Sequence, residues 1–182
     1  MEELSVGSVR RTGCDGGLGL GLLKGLLEQT SPPQHLFAAC LDPQGKPSCP
    51  RADVTDPNSI KAAVRKVQEE VGSAGLNLLI NNAGTTRCST LATETAENMT
   101  LVYTTNTIAA LNMLTKCLAL EYGGSGILCV SVDPGCVTPP LGQGTGPVTV
   151  EESVQGVLRL LARLSASSNG TFWDWRGQSL PW

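Results

Sequence analysis

The residues with the clearest chemical potential are Thr12-Gly13-Cys14-Asp15-Gly16-Gly17-Leu18-Gly19, set between a short apolar approach and a leucine-rich stretch that runs to Gln29. Glycines at 13, 17 and 19 permit positive φ and let backbone approach a phosphate closely. A helix starting here turns unpaired N–H groups and a positive dipole end toward the same space. Leu18, Leu22 and Leu26 recur at i+4, with Leu23 and Leu27 beside them, giving a broad apolar face suited to a sheet. A strand-to-helix turn of this kind binds the pyrophosphate of a dinucleotide. Taken alone, it is equally consistent with a tight loop.

Other reactive side chains are few. The 182 residues include two tyrosines, Tyr103 and Tyr122, and one histidine, His35, which precedes an apolar run and is expected to be structural. The seven cysteines, at 14, 40, 49, 88, 117, 129 and 136, contain no Cys-x-x-Cys. That spacing argues for free thiols in a reducing, cytoplasmic setting, with no zinc or other metal site. A net charge of −3 without any basic block gives no footprint for nucleic acid. No apolar run approaches the roughly 18 residues that span a bilayer, and Met1-Glu2-Glu3 is acidic where a secretory signal is basic. The length suits a single domain over residues 1–182.

The elements that must position the glycine turn alternate between strand and helix. Residues 4–11 are expected as the first strand, interrupted by Arg10 and Arg11. Burying an unpaired guanidinium is costly, so either this strand is short and the arginines turn outward, or the sheet is poorly formed here. Residues 35–41 suit a second buried strand; residues 42–51, with Pro43, Pro47 and Pro50, form a crossover that cannot be helical. Asp56-Pro57 opens a helix as N-cap and first residue, with Ile60, Val64, Val67 and Val71 as its buried stripe and Gly72 as its end. Residues 76–80 form a strand that runs into Asn81-Asn82-Ala83-Gly84, a small polar turn at the edge where parallel sheets bind ligands. Residues 93–100 are weakly helical. Residues 108–122 are more strongly so, with Leu111, Leu114, Leu118 and Tyr122 on one face. Residues 126–132 form a strand closed by Asp133-Pro134-Gly135. Thr149 and Glu152 make a capping box for a helix that buries Val154, Val157, Leu158, Leu161 and Leu164. Gly170 leads into a last strand over residues 171–175. The class is α/β with a parallel sheet.

Four pieces now stand in order: Thr12-Gly13-x-x-x-Gly17-x-Gly19, Asp53-Val54, Asn81-Asn82-Ala83-Gly84, and Val132-Asp133-Pro134-Gly135-Cys136-Val137-Thr138. Together they resemble the classical short-chain dehydrogenase/reductase family. The tail over residues 170–182 resembles the endings of sniffer-type carbonyl reductases and C-factor-like proteins. The resemblance implies a Rossmann-like, doubly wound parallel sheet, shortened here by loss of one central strand and its helix. It also implies NAD or NADP as cofactor. Thr12, Gly13, Gly17, Leu18 and Gly19 would form the pyrophosphate turn, and Asp53 and Val54 would contact adenine. Asn82, Ala83 and Gly84 would hold the turn beside the cofactor, with Pro134, Gly135, Val137 and Thr138 near the nicotinamide. For the last two groups, plain turn chemistry at strand ends is the alternative. Gly16 and Leu41-Asp42 stand where NADP-preferring members place a basic residue, which favours NAD.

The same resemblance implies a tyrosine acid, a lysine four residues on, and a serine on the preceding strand. Four residues beyond Tyr103 and Tyr122 stand Thr107 and Gly126, so no Tyr-x-x-x-Lys exists. Thr105-Asn106-Thr107 resembles the helix carrying the family's supporting asparagine, and residues 108–116 resemble the stretch that follows the catalytic lysine. The segment between is missing, which leaves Asn106 as a remnant support residue and no catalytic residue. The expectation is a reductase lineage that keeps its nucleotide cradle and is inactive or weakly active. An enzyme with a displaced acid, a non-enzymatic interaction protein and a truncated isoform are the alternatives. The strands at 76–80 and 126–132 are expected to lie side by side across one crossover. The family's interface helices are partly missing, which leaves the oligomeric state open.

Overall fold

The computed structural model describes residues 4–40, 53–84, 93–109, 112–137 and 148–182. In chain order the elements are β1 (Ser8–Thr12), α1 (Gly17–Leu27), β2 (His35–Ala39), α2 (Pro57–Val71), β3 (Leu78–Ile80), α3 (Ala96–Ala109), α4 (Asn112–Tyr122), β4 (Val130–Asp133), α5 (Val150–Arg163), β5 (Thr171–Asp174) and β6 (Ser179–Leu180). They fall into two compact units. The first comprises Val6–Asp15 and Pro33–Ala110; the second comprises Met1–Ser5, Gly16–Pro32 and Leu111–Trp182.

In the first unit β1 lies between β2 and β3, and both ladders are parallel. Val9 pairs with Leu36 and Leu78, and Arg11 with Ala38 and Ile80. The amino end is pinned by Ser8, whose N–H donates to Asn77 Oδ1 at 2.9 Å while its Oγ accepts from Asn77 N at 2.9 Å. Alternation sends Arg10 and Arg11 to opposite faces. Arg10 Nη1 donates to the Ala63 carbonyl on α2 at 2.8 Å. Arg11 is completely buried, and none of its guanidinium nitrogens finds a hydrogen-bond partner among the described residues. The strand is short, Ser8–Thr12 rather than residues 4–11, but it is laddered on both edges and Arg11 does not turn outward. Burial lowers its pKa from the usual arginine value to about 10, partly opposed by Cys14.

The Asp56 carboxylate caps α2 by accepting from Asn58 N at 2.9 Å, with Pro57 as the first helical residue. Only the carboxyl half of the expected stripe is buried: Val67 and Val71 pack inward, whereas Ile60 and Val64 are 45% and 47% exposed. The weakly helical 93–100 stretch is part of a longer α3, which also takes in Ile108 and leaves Met99 and Tyr103 outward. The proline-rich crossover at 42–51 lies outside the described residues. Cys40 is disulfide-bonded, which corrects the expectation of free thiols at that position; Cys14, Cys117, Cys129 and Cys136 are free.

In the second unit β4 pairs parallel with β5, and β5 antiparallel with β6. The expected neighbours, residues 76–80 and 126–132, therefore belong to separate sheets. β4 takes its ladder from β5, with Val130 opposite Thr171, and β3 takes its ladder from β1. A single crossover brings strands close in sequence but does not choose their partners. Helices α1 and α5 approach through glycine: a Cβ on Gly21 would stand 2.9 Å from Val150 Cγ1, and one on Gly25 would stand 2.8 Å from Leu158 Cδ1. Val154, Val157 and Leu158 are buried as expected, Leu161 and Leu164 are half-buried, and Leu160 joins the core. On α4 the expected face is only partly inward, with Leu118 half-buried. Leu114 and Tyr122 are exposed and Ala119 is the buried contact.

Two stability predictions follow from these elements. Arg11 contributes a desolvation penalty wherever it is charged in the folded chain, that is at all pH below about 10. Arg11→Met is therefore expected to raise the stability by roughly 1–4 kcal/mol, read as a higher Tm at neutral pH; a lower Tm would contradict the unpartnered burial. At the start of α5, Thr149 N and Oγ1 donate to Glu152 Oε2 at 2.9 and 2.8 Å, while Glu152 N donates back to Thr149 Oγ1 at 3.1 Å. These bonds hold the Glu152 carboxyl below its usual range. Their stabilisation is full above a pH of about 4.5 and is lost as pH falls through the lowered value. Wild type and Glu152→Gln should differ in Tm at neutral pH and converge in acid.

Candidate functional site

In the first unit the end of β1 meets the turn after β3. Gly13 has φ +69°, and a Cβ there would lie 2.9 Å from Ala83 Cα and 3.0 Å from Asn82 Nδ2, so the position requires glycine. The Thr12 hydroxyl accepts from Asn82 N at 3.0 Å and Ala83 N at 3.1 Å. The Asn82 carboxamide donates to the Gly13 carbonyl at 3.3 Å. Cys14 N donates to the Ala39 carbonyl at 3.1 Å, which ties the turn to β2 as well. The structure thus brings Thr12, Gly13, Asn82 and Ala83 together, with exposed Gly84 directly after them.

Asp53 and Val54 stand in the turn that opens α2. Asp53 Oδ1 accepts from Thr55 N at 2.8 Å and Thr55 Oγ1 at 2.6 Å, and Asp53 N donates to Ser59 Oγ at 2.9 Å. Thr55 and one face of α3, including Ala96, Thr100 and Thr104, line an open cleft of about 500 Å³. The part played by α3 was not legible in the sequence, where it carries no strong apolar face. Asn106 lies on α3, and its side chain falls outside what the structure describes.

The second unit holds the other assigned residues. Gly17, Leu18 and Gly19 form the first turn of α1 behind an extended Gly16, which as N-cap makes no side-chain cap bond. Such an uncapped, glycine-lined turn leaves N–H groups for an anion. At the other strand end, the Pro134 carbonyl accepts from Ser153 Oγ at 2.7 Å, and Ser153 is fully buried on α5. Gly135 has φ +80°, its N–H donates to Asp133 Oδ1 at 2.8 Å, and a Cβ there would meet Trp175 Nε1 at 2.8 Å. Val137 N donates to the Gly135 carbonyl at 2.9 Å, and Val137 bridges to Val148. Thr138 lies outside the described residues. Ser153 and Trp175 were missed in the sequence; a lone hydroxyl on the inward face of an amphipathic helix was the available signal for the first.

No tyrosine–lysine pair is assembled among the described residues. Tyr103 is 72% exposed on α3. The Tyr122 phenol is pushed up by a hydrogen bond and like charge from Glu121, the reverse of what a proton donor needs. Lys116 is engaged elsewhere: its Nζ donates to the Gly170 carbonyl at 3.1 Å and lies 5.9 Å from the Trp182 ring centroid.

Parallel strands alternating with helices, with glycine turns at the strand ends, define a Rossmann-like α/β fold. Residues 9–113, more than half of the chain, match the short chain dehydrogenase family, and the chain belongs to that family. It is 31% identical over 74 residues to C-signal of Myxococcus xanthus, covering 41% of this chain and 45% of that protein. It is 39% identical over 83 residues to human short-chain dehydrogenase/reductase family 9C member 7, covering 40% of this chain and 26% of that one. The chain thus spans less than half the length of these curated relatives. Among solved structures, the NADPH-bound carbonyl reductase from chicken fatty liver has a TM-score of 0.86 at 34% identity, over 98% of this chain and 100% of that one. Carbonyl reductase Sniffer of D. melanogaster shares the fold, with a TM-score of 0.82 at 22% identity over 98% and 100% of the two chains. The relation to carbonyl reductases inferred from the motifs is borne out.

The Thr12 bonds give a direct test. Thr12→Val keeps shape but leaves two backbone N–H groups without their acceptor, at a cost of about 1–3 kcal/mol. The variant should melt correspondingly lower, whereas Thr12→Ser should stay close to wild type.

Proposed function

We propose that this chain is a dinucleotide-binding relative of the carbonyl reductases whose proton-transfer chemistry is impaired. One observation carries the reading: the glycine turns remain, and the sequence contains no Tyr-x-x-x-Lys. A bound nicotinamide dinucleotide supplies the hydride in such enzymes. On this reading Gly17, Leu18 and Gly19 hold the pyrophosphate through their backbone amides, and Thr12, Gly13, Asn82 and Ala83 keep the turn at the end of β1 closed. Asp53 and Val54, next to the cleft along α3, receive the adenine; Pro134, Gly135, Val137 and Thr138 shape the nicotinamide end. Gly16 and Asp42 favour NAD over NADP, since neither offers a cation to a 2′-phosphate. The NADPH of the chicken carbonyl reductase supports a nicotinamide dinucleotide of either kind.

An isolated phenol titrates near 10 and needs a nearby cation to donate its proton readily at neutral pH. Loss of that acid removes roughly 10²–10⁴-fold in rate. Asn106 alone orients and does not transfer. Among the described residues no helix is long and apolar enough to cross a membrane. The free thiols at Cys14, Cys117, Cys129 and Cys136 suit a cytoplasmic setting, against which the Cys40 disulfide stands.

NADH at about one hundred times its Kd should raise unfolding stability by about 2.7 kcal/mol, with no oxidation of NADH on adding a quinone or aldehyde. Absence of any nucleotide-dependent Tm shift would remove the reading. Turnover abolished by Tyr103→Phe would replace it with an enzyme that uses a displaced acid.

A further inference from the structure

Outside the nucleotide turns, the second unit gathers positive charge at one place. Arg159 and Arg163 stand one turn apart on α5, and Arg176 sits in the tight turn between β5 and β6; all three are exposed. Together with Trp175, Gly156 and Gly177 they line a cleft of about 260 Å³. No carboxylate lies within ion-pair distance of any of the three among the described residues. Like charges at i and i+4 are mutually unfavourable on a helix, and a third converging on them adds to that cost. The chain as a whole carries more acidic than basic residues, 16 against 13, so the cluster does not follow from composition.

The walls are set before any ligand arrives. Asp174 Oδ1 accepts from Arg176 N at 3.0 Å and Gln178 N at 2.7 Å, which commits the nearest carboxylate of the turn to backbone amides. Gly177, at φ +84°, closes the turn with its N–H on the Asp174 carbonyl at 3.0 Å. The Trp175 indole lies so close to α5 that a Cβ on Gly156 would meet ring atom Cε3 at 2.6 Å. Arg176 lies over this ring with Cζ 5.1 Å from the centroid, a stacking that orients the planar guanidinium. On the opposite wall, Arg163 Nη1 comes within 3.7 Å of where a Cβ on Gly177 would stand.

We propose that this cleft, lined by none of the residues assigned to the dinucleotide, is a binding site for a small phosphoryl oxyanion, with Arg159, Arg163 and Arg176 as its ligands. Guanidinium groups offer paired N–H donors that match phosphate oxygens. The volume is below the usual range for drug-sized ligands and suits a phosphate or diphosphate group rather than a dinucleotide.

Inorganic pyrophosphate titrated into the full chain by calorimetry at low ionic strength provides the test. Saturable binding with one site is expected, accompanied by quenching of tryptophan emission. Binding should weaken about tenfold or more in Arg159→Gln and in Arg163→Gln. Arg176→Lys should retain part of it by keeping the charge without the stacked plane. These positions are exposed, and unchanged melting curves will show that the variants fold; the lysine variant reports on the cleft even where a glutamine variant does not fold. Unaltered pyrophosphate binding in the variants would place the anion elsewhere and overturn the proposal. So would equal occupancy by chloride at matched ionic strength, or arginine-dependent binding of a short RNA with none of pyrophosphate.

Discussion

The first unit turns on one hydroxyl. Thr12 Oγ1 takes the N–H groups of both Asn82 and Ala83, and so fixes the carboxyl end of β1 against the turn that follows β3. β3 is only three residues long and pairs with β1 over Val9–Arg11, a short ladder for a parallel strand. The side-chain bonds at its two ends, from Asn77 to Ser8 and from Thr12 to Asn82 and Ala83, extend its hold beyond that ladder. Gly13 is the necessary companion. Any side chain there would occupy the space that Asn82 and Ala83 fill, and the turn would open.

That arrangement explains how β1 tolerates Arg11. A strand paired on both edges cannot rotate one residue outward without moving all the others to the wrong face. Turning Arg11 outward would expose Val9, which shares its face and is fully buried. Arg10, on the other face, has found the Ala63 carbonyl. Register therefore prevails over the solvation of one guanidinium, and the cost stays local. Burying an unpaired cation is ordinarily prohibitive; here a long aliphatic stem and a delocalised charge make arginine the least unfavourable cation to hold inside.

Local chemistry was legible where it is self-contained. The Asp56-Pro57 start of α2 and the Thr149–Glu152 box of α5 need only neighbours within one turn, and both stand as expected. Faces that depend on a distant partner were not legible. Ile60 and Val64 continue a perfect helical stripe yet are exposed, as are Leu114 and Tyr122, because periodicity states which face is apolar without stating what covers it. The pairing of β4 failed for the same reason: its partner, β5, stands 41 positions later in register, with Val130 opposite Thr171 at one end and Asp133 opposite Asp174 at the other. The supporting roles of Ser153 and Trp175 likewise arise only once α5 and β5 are in place.

On the proposed reading, the distribution of glycine and hydroxyl groups accounts for a separation of binding geometry from proton chemistry. Turns at strand ends are stabilised by their immediate surroundings: Gly13 by Ala83, Gly135 by Trp175, Pro134 by Ser153. Each would persist if a helix elsewhere were shortened. An acid tuned for reduction has no such independence, because a phenol that titrates near 10 needs a cation held beside it to donate its proton at neutral pH. Tyr103, exposed on α3 beside Met99, illustrates the consequence. It carries the functional group, and among the described residues no lysine is paired with it. In the proposed reading, loss of the strand and helix that carried the acid therefore impairs the chemistry while the contacts of Thr12, Gly13, Asn82 and Ala83 remain, each of them made between the end of β1 and the turn after β3.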